Sequence, residues 1–307
     1  MAFQQHPRAV LSKLQKEIPA SVTSDALIRL AKDGAQTQTA EFVEAYLPLA
    51  CLIHRRVSAL QTLRTQTAEA LGVEAVTAPF LIGLAGSVAV GKSTSAKFLQ
   101  HALAAWPEHR DVSLVTSDGF LFPNAELKQR GIMERKGFPE SFDASQLVKF
   151  LTRLKSGDTT VTAPLYSHVS YDVMPDQRLA LQTPHIVIVE GINVLQPQLP
   201  AGESDHSSAS DFFDYSIYVH AEEALIRQWY ETRFLVLTQA AVNDPQSFYS
   251  RFVHLTPEQR LDLINNVWTT INGKNLADHI LPTRPRADLI LHKGLGHRIT
   301  HFELRNR

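Results

Sequence analysis

The residues best suited to chemistry are Gly86-Ser87-Val88-Ala89-Val90-Gly91-Lys92-Ser93-Thr94, which have the spacing G-x-x-x-x-G-K-S. Gly86 and Gly91 let the backbone turn tightly and aim its N–H groups at phosphate oxygens. Lys92 adds positive charge, and the Ser93 hydroxyl is a ligand for Mg²⁺. An apolar run, Phe80 to Ala85, precedes the motif and a helix-like segment follows it, so the helix offers its positive N-terminal end to the same anion. Such a phosphate cradle needs acidic groups at the ends of neighbouring strands. Asp118 follows the strand-like Val112 to Thr116 and opens Asp-Gly-Phe, whose glycine allows close backbone approach. It is a candidate to accept a proton from a substrate hydroxyl, or to orient that hydroxyl. Glu190 follows the wholly apolar Ile186-Val-Ile-Val189 and is a candidate to help hold Mg²⁺ through water.

Other side chains carry less specific signals. Tyr166-Ser-His168-Val-Ser-Tyr171 mixes rings, imidazole and hydroxyls in what reads as a loop able to grip a small polar molecule. Arg233, on an expected helix, suits charge developing on a transferred phosphoryl group. The 13 histidines raise the question of a metal, and His292, His297 and His301 fall in an expected strand and turn. Strand positions four apart are separated by about 13 Å, which argues against a shared zinc.

These groups need a scaffold. Short β-rich runs at Phe80–Ala85, Val112–Thr116, Ile186–Val189, Phe213–Val219 and Leu289–His292 alternate with helical segments, a pattern of a mainly parallel sheet covered by helices. The fold class expected is therefore α/β. Residues 1 to about 75 read as a separate helical segment packed on a 76–307 core. In that segment Phe42, Tyr46, Leu49, Leu52, Ile53, Leu60 and Leu63 mark one helical face, and Pro48 is expected to kink or divide the helix. Residues 221 to 280 read as largely helical, and Gly202 to Ser210 as a mobile loop.

Composition narrows the class. The chain has 307 residues, 44% hydrophobic and 20% charged, with a net charge of −1, so it supplies a substantial core and no bulk positive field for nucleic acid or an anionic membrane. A single cysteine, Cys51, excludes an internal disulfide framework and suits a packing role in a reducing compartment. The sequence starts without a secretory pattern and has no run of transmembrane length, so cytoplasmic residence is the expectation.

Taken together, residues 86 to 94, Thr116-Ser-Asp-Gly-Phe-Leu, Lys136-Gly-Phe-Pro-Glu-Ser, Ala163-Pro-Leu-Tyr-Ser-His168 and Glu190-Gly-Ile-Asn-Val-Leu-Gln196 closely resemble bacterial type I pantothenate kinases. Tyr46-Leu-Pro-Leu, Trp229-Tyr and Ile280-Leu-Pro-Thr-Arg284 extend the resemblance over most of the chain. It implies a P-loop kinase that phosphorylates pantothenate with MgATP, the committed step toward coenzyme A, working as a homodimer. It also implies Asp118 as the base or hydroxyl-orienting residue, Lys92 and Arg233 as phosphoryl stabilisers, and Ser93 with Glu190 on the magnesium side. Tyr166, His168, Tyr230 and Asn272 become pantothenate contacts, beside Tyr171 from the loop reading. Lys293 and His297 lie where relatives hold the adenine, and a helical lid over 221–280 excludes water.

Where relatives carry an arginine that binds the phosphates of inhibitory coenzyme A, this chain has Lys97, which keeps the charge and loses the planar fork. Leu237, Tyr249 and Phe252 likewise replace phenylalanine, phenylalanine and tyrosine of the pantetheine-lining region. The competing readings are another small-molecule kinase, for uridine or phosphoribulose, and a nucleotide-driven protein switch. The guanine-reading Asn-Lys-x-Asp motif of GTP-selective switches does not occur in the sequence.

Overall fold

The computed structural model describes residues 2–34, 38–75, 77–109, 111–197 and 208–306. In chain order the main elements are β1 (Phe3–Pro7), α1 (Ala20–Lys32), α2 (Leu47–Leu71), β2 (Phe80–Gly86), α3 (Lys92–Leu103), β3 (Val112–Thr116), α4 (Ala144–Lys155), β4 (Thr160–Ser167), β5 (Asp172–Gln182), β6 (Ile186–Glu190), β7 (Tyr215–His220), α5 (Glu223–Ala240), α6 (Pro257–Val267), β8 (Leu289–Lys293) and β9 (Ile299–Arg305). Seven strands form one sheet in the order β1-β9-β8-β7-β2-β6-β3, and β4 with β5 forms a separate hairpin. The run from β8 to β3 is parallel, whereas β9 and β1 join it antiparallel at one edge.

β2 and β6 are buried along their whole length, which is why they read as unbroken apolar runs rather than alternating ones. The chain leaves β2 for β3 on one side, fills the gap with β6, and then crosses to β7 on the other side of β2. That change of direction opens a crevice at the carboxyl end of β2, where α3 begins.

β1 was not legible as a strand, because Phe3-Gln-Gln-His-Pro carries no apolar alternation. It is an edge strand whose pairing with β9 supplies what the pattern lacks. Phe42, Tyr46, Leu49 and Ile53 of the expected helical face are buried in the same core as the sheet, whereas Leu63 is exposed. Pro48 occupies the first turn of α2, directly after a π-helical turn at Phe42–Tyr46, so the break takes the form of a change in helical pitch. Cys51 is buried, and burial pushes its thiol pKa up, in keeping with packing. Of the loop read at 202 to 210, residues 202–207 lie outside the described residues. Ser208 caps the short 3₁₀ turn Ala209–Phe212. Among the described residues no helix is long and apolar enough to cross a membrane.

α2 is tied to the sheet through three histidines. His54 Nδ1 lies 3.0 Å from His109 Nε2, His109 Nδ1 lies 3.2 Å from His185 Nδ1, and the His54 ring stacks on Trp106. Burial, with His54 and His185 adding positive potential, pushes the His109 pKa down to about 3 from 6.5. The unfolded chain therefore binds a proton that the folded chain refuses at mildly acid pH. The stability this represents is complete above the unfolded value and is lost as pH falls toward the folded one. Urea unfolding should show stability falling from about pH 7 to about pH 5, with a shallower slope in His109→Gln. Equal slopes in the two proteins would contradict the assignment.

Candidate active site

The site is set by register. Glu190, the last residue of β6, pairs with Leu84 of β2 on one side and with Thr116 of β3 on the other. Two residues beyond these partners come Gly86, where the glycine-rich loop starts, and Asp118. Three strand ends thus deliver the loop, one acid and a second acid to one crevice.

The loop from Gly86 to Gly91 turns into α3 through a left-handed residue, Gly91, with φ 87°. A side chain there meets two obstacles: its Cβ falls 2.8 Å from Lys293 Nζ and 3.3 Å from His297 Nδ1. The backbone N–H groups at the start of α3 and its dipole face the crevice mouth. Lys92 Nζ donates to the Ser87 carbonyl at 2.8 Å, and Ser93 Oγ donates to Glu190 Oε1 at 2.9 Å. Val88, Ala89 and Val90 complete the turn, with Ala89 itself left-handed at φ 62°, and Thr94 lies in the first turn of α3.

Charge is concentrated here out of water. Burial lowers the Lys92 pKa, against the opposing pull of Glu190 and Asp118, and Arg233 lowers it further. Burial raises the Glu190 pKa, with Lys92 acting the other way. Asp118 sits in the 3₁₀ turn Ser117–Phe120, its N–H directed at Thr116 Oγ1 at 3.3 Å. The next residue shows why the turn is tight: a Cβ on Gly119 falls 2.3 Å from the Pro164 carbonyl oxygen, so β4 lies directly against the Asp118 turn.

Tyr166 to Asp172, read from sequence as a loop, is the end of β4, a turn and the start of β5. The hairpin stands over the crevice. Tyr166 packs edge-on to His168 (5.2 Å) and Tyr171 (6.1 Å), and Tyr171 stacks on Phe248 at 4.2 Å. Burial pushes the Tyr171 phenol up to about 12. From α5, Tyr230 lies beside Asn272, and Arg233 acts electrostatically on Tyr171 and Tyr249. Tyr249 and Phe252 pack on Phe234, forming an apolar wall.

Lys293 and His297 reach the glycine-rich loop from β8 and the following turn. Lys293 Nζ donates to the Gly91 carbonyl at 3.2 Å, while His297 stacks on Trp229 at 3.8 Å. Burial brings the Lys293 pKa down to about 7. Lys97 is not drawn into this group: it is exposed on α3 and pairs with Asp33 at 3.8 Å, beside the His101–Asp33 contact at 2.9 Å.

Lys136 belongs to the site and had no role in the sequence reading. Its Nζ donates to Asn124 Oδ1 and to the Tyr171 carbonyl, both at 2.6 Å, and lies over the rings of Tyr171 (4.5 Å) and Tyr166 (5.2 Å). Burial pushes its pKa down to about 8, although Asp172 and Asp118 oppose the shift. The clue available in sequence was the motif Lys136-Gly-Phe-Pro-Glu-Ser, but the partners of Lys136 lie outside the motif, Asn124 12 residues before it and Tyr171 35 residues after it along the chain.

The Gly119 contact generates a direct test. Gly119→Ala should lose about 1–3 kcal/mol of stability, because neither the turn nor the hairpin backbone has room to yield. A urea midpoint equal to that of the parent protein would refute the close approach.

Comparison with known proteins places this geometry. Residues 81–230 match the Phosphoribulokinase / Uridine kinase family. A Parvibaculum lavamentivorans protein named pantothenate kinase is 46% identical over 99% of this chain and 93% of its own. One from Rhizobium rhizogenes is 47% identical over 96% and 89%, and one from Sodalis glossinidius 43% identical over 99% and 96%. The solved structure of YGR205w protein, 14% identical, covers 75% of this chain and 91% of its own with a TM-score of 0.51, a likeness of fold alone.

Proposed function

The chain belongs to the pantothenate kinase family, and we propose that its crevice transfers the γ-phosphoryl group of ATP to the primary hydroxyl of pantothenate, giving 4'-phosphopantothenate and ADP. The observation that carries this reading is the meeting of the glycine-rich loop, Asp118 and Glu190 at three adjacent strand ends, beneath a hairpin bearing Tyr166 and Tyr171. Nucleotide phosphates lie on the loop N–H groups and the start of α3, with Lys92 neutralising their charge. The substrate hydroxyl approaches from the hairpin side. There Asp118 orients it and takes its proton as the new P–O bond forms and the bond to ADP breaks. Arg233 faces the transferred group. The transition state is loose, so positioning and charge neutralisation contribute more than base strength.

The Ser93 hydroxyl and Glu190 carboxylate, 2.9 Å apart, are hard oxygen donors and suit Mg²⁺. When bound, that ion neutralises charge on the nucleotide phosphates. Tyr230, Asn272, His168 and Tyr171 contact pantothenate, and Lys293 with His297 borders the adenine. Lys136 fixes the turn that carries Tyr171 and adds positive charge near Asp118. The helices of residues 221–280 shield the site from water, a competing acceptor. The same reading carries a place at the start of coenzyme A biosynthesis, a cytoplasmic setting and a homodimer.

ADP release in the presence of MgATP should depend on pantothenate and fall by a factor of about 10² or more in folded Asp118→Asn. Release independent of pantothenate, or responsive instead to uridine or ribulose 5-phosphate, would overturn the assignment. Coenzyme A should compete with ATP, and Lys97→Arg should tighten that inhibition several-fold, because the fork geometry returns while the charge is unchanged. The Asp33 pair must open for Lys97 to meet a phosphate. An inhibition constant unchanged by Lys97→Arg would remove Lys97 from the inhibitor site.

A further inference from the structure

The face of β8 opposite Lys293 gathers donor groups that phosphoryl transfer does not use. In the antiparallel β8–β9 pair His292 lies opposite His301, and Ile290 lies opposite Glu303. Directly paired residues, and those two further along, share a face, so His292, His301 and Glu303 project together. His292 Nε2 is 2.7 Å from Glu303 Oε1, and the two imidazoles stack at 4.0 Å. Donor atoms of the three residues all lie within 4.8 Å of one another. The along-strand separation that argued against a shared ion does not apply, because the histidines meet across the ladder.

A β-bulge beyond the His292–His301 pair leaves Thr300 as the extra residue. The Thr300 hydroxyl donates to the His292 carbonyl at 3.1 Å and lies 3.0 Å from His301 Nδ1. A hydroxyl has one proton. With that proton on the carbonyl, Thr300 accepts from His301 Nδ1–H, and the imidazole lone pair is left on Nε2. This is the support a metal-binding histidine has, its far nitrogen held by a polar neighbour. Arg284, at 3.0 Å, holds the Glu303 carboxylate from outside the trio, and His220 flanks His292 at 5.0 Å.

We propose that His292, His301 and Glu303 form a binding site for a transition-metal dication, with zinc the ion that suits them best. Two imidazoles and a carboxylate are a known three-residue zinc set that leaves a position for water. In the bound form His292 gives up its hydrogen bond to Glu303 and carries its proton on Nδ1. The ion would tie β8 to β9 and so brace the turn that holds Lys293 and His297 against the glycine-rich loop.

The test is calorimetric titration of tag-free, chelator-stripped protein with zinc chloride. The expected result is one ion per chain, weakened by about 10- to 100-fold in Thr300→Val and by more in His301→Ala. Replacing an exposed histidine elsewhere, His254→Ala, should leave binding unchanged. Glu303→Gln gives a second ligand variant, and circular dichroism of the metal-free proteins establishes folding. Absence of uptake overturns the proposal, as does uptake that survives unaltered in folded His301→Ala and Glu303→Gln.

Discussion

Everything in this molecule's chemistry depends on the placement of β6 between β2 and β3. Glu190 stands level with Leu84 and Thr116, and the Gly191 N–H donates to the Leu84 carbonyl at 3.0 Å. A slip of one residue would turn every side chain of β6 to the other face and carry Glu190 away from Ser93. The slip is opposed by close packing: Ile186 to Val189 are wholly buried, with alternate side chains filling shaped positions on opposite faces of the sheet. A structural requirement for packing thereby sets a chemical distance.

The same burial makes the site electrostatically demanding. Lys92 and Glu190 are removed from water, and burial alone would neutralise both; their proximity to each other opposes that, while Asp118 favours the charged form of Lys92 and disfavours that of Glu190. Charges held in this way need little reorganisation when a polyanion arrives, which is the condition for strong stabilisation of a phosphoryl-transfer transition state. Close backbone approaches at Gly91 and Gly119 serve that rigidity, locking β8 and β4 respectively against the loop and the Asp118 turn.

What the sequence disclosed followed the range of the interactions involved. The glycine-rich loop was legible because its mechanics are local. The parallel strands were legible because burial on both faces writes an unbroken apolar run. Long-range pairings left no such mark. β1 is polar and depends on β9, the Tyr166 segment becomes a hairpin only through its pairing with β5, and His292 meets His301 across a ladder rather than along a strand. Lys136 sits within a quoted motif, yet its meaning comes from Asn124 and Tyr171. Lys97 was readable as a positive charge one turn into α3, whereas its partner Asp33 comes from the distant N-terminal helices.

The central claim is that the three strand ends carry phosphate to a pantothenate hydroxyl rather than to water. Phosphorus NMR of the protein with MgATP and pantothenate tests it directly. The account predicts a phosphomonoester of pantothenate accumulating one for one with ADP; ADP accompanied by inorganic phosphate and no phosphorylated pantothenate would contradict it.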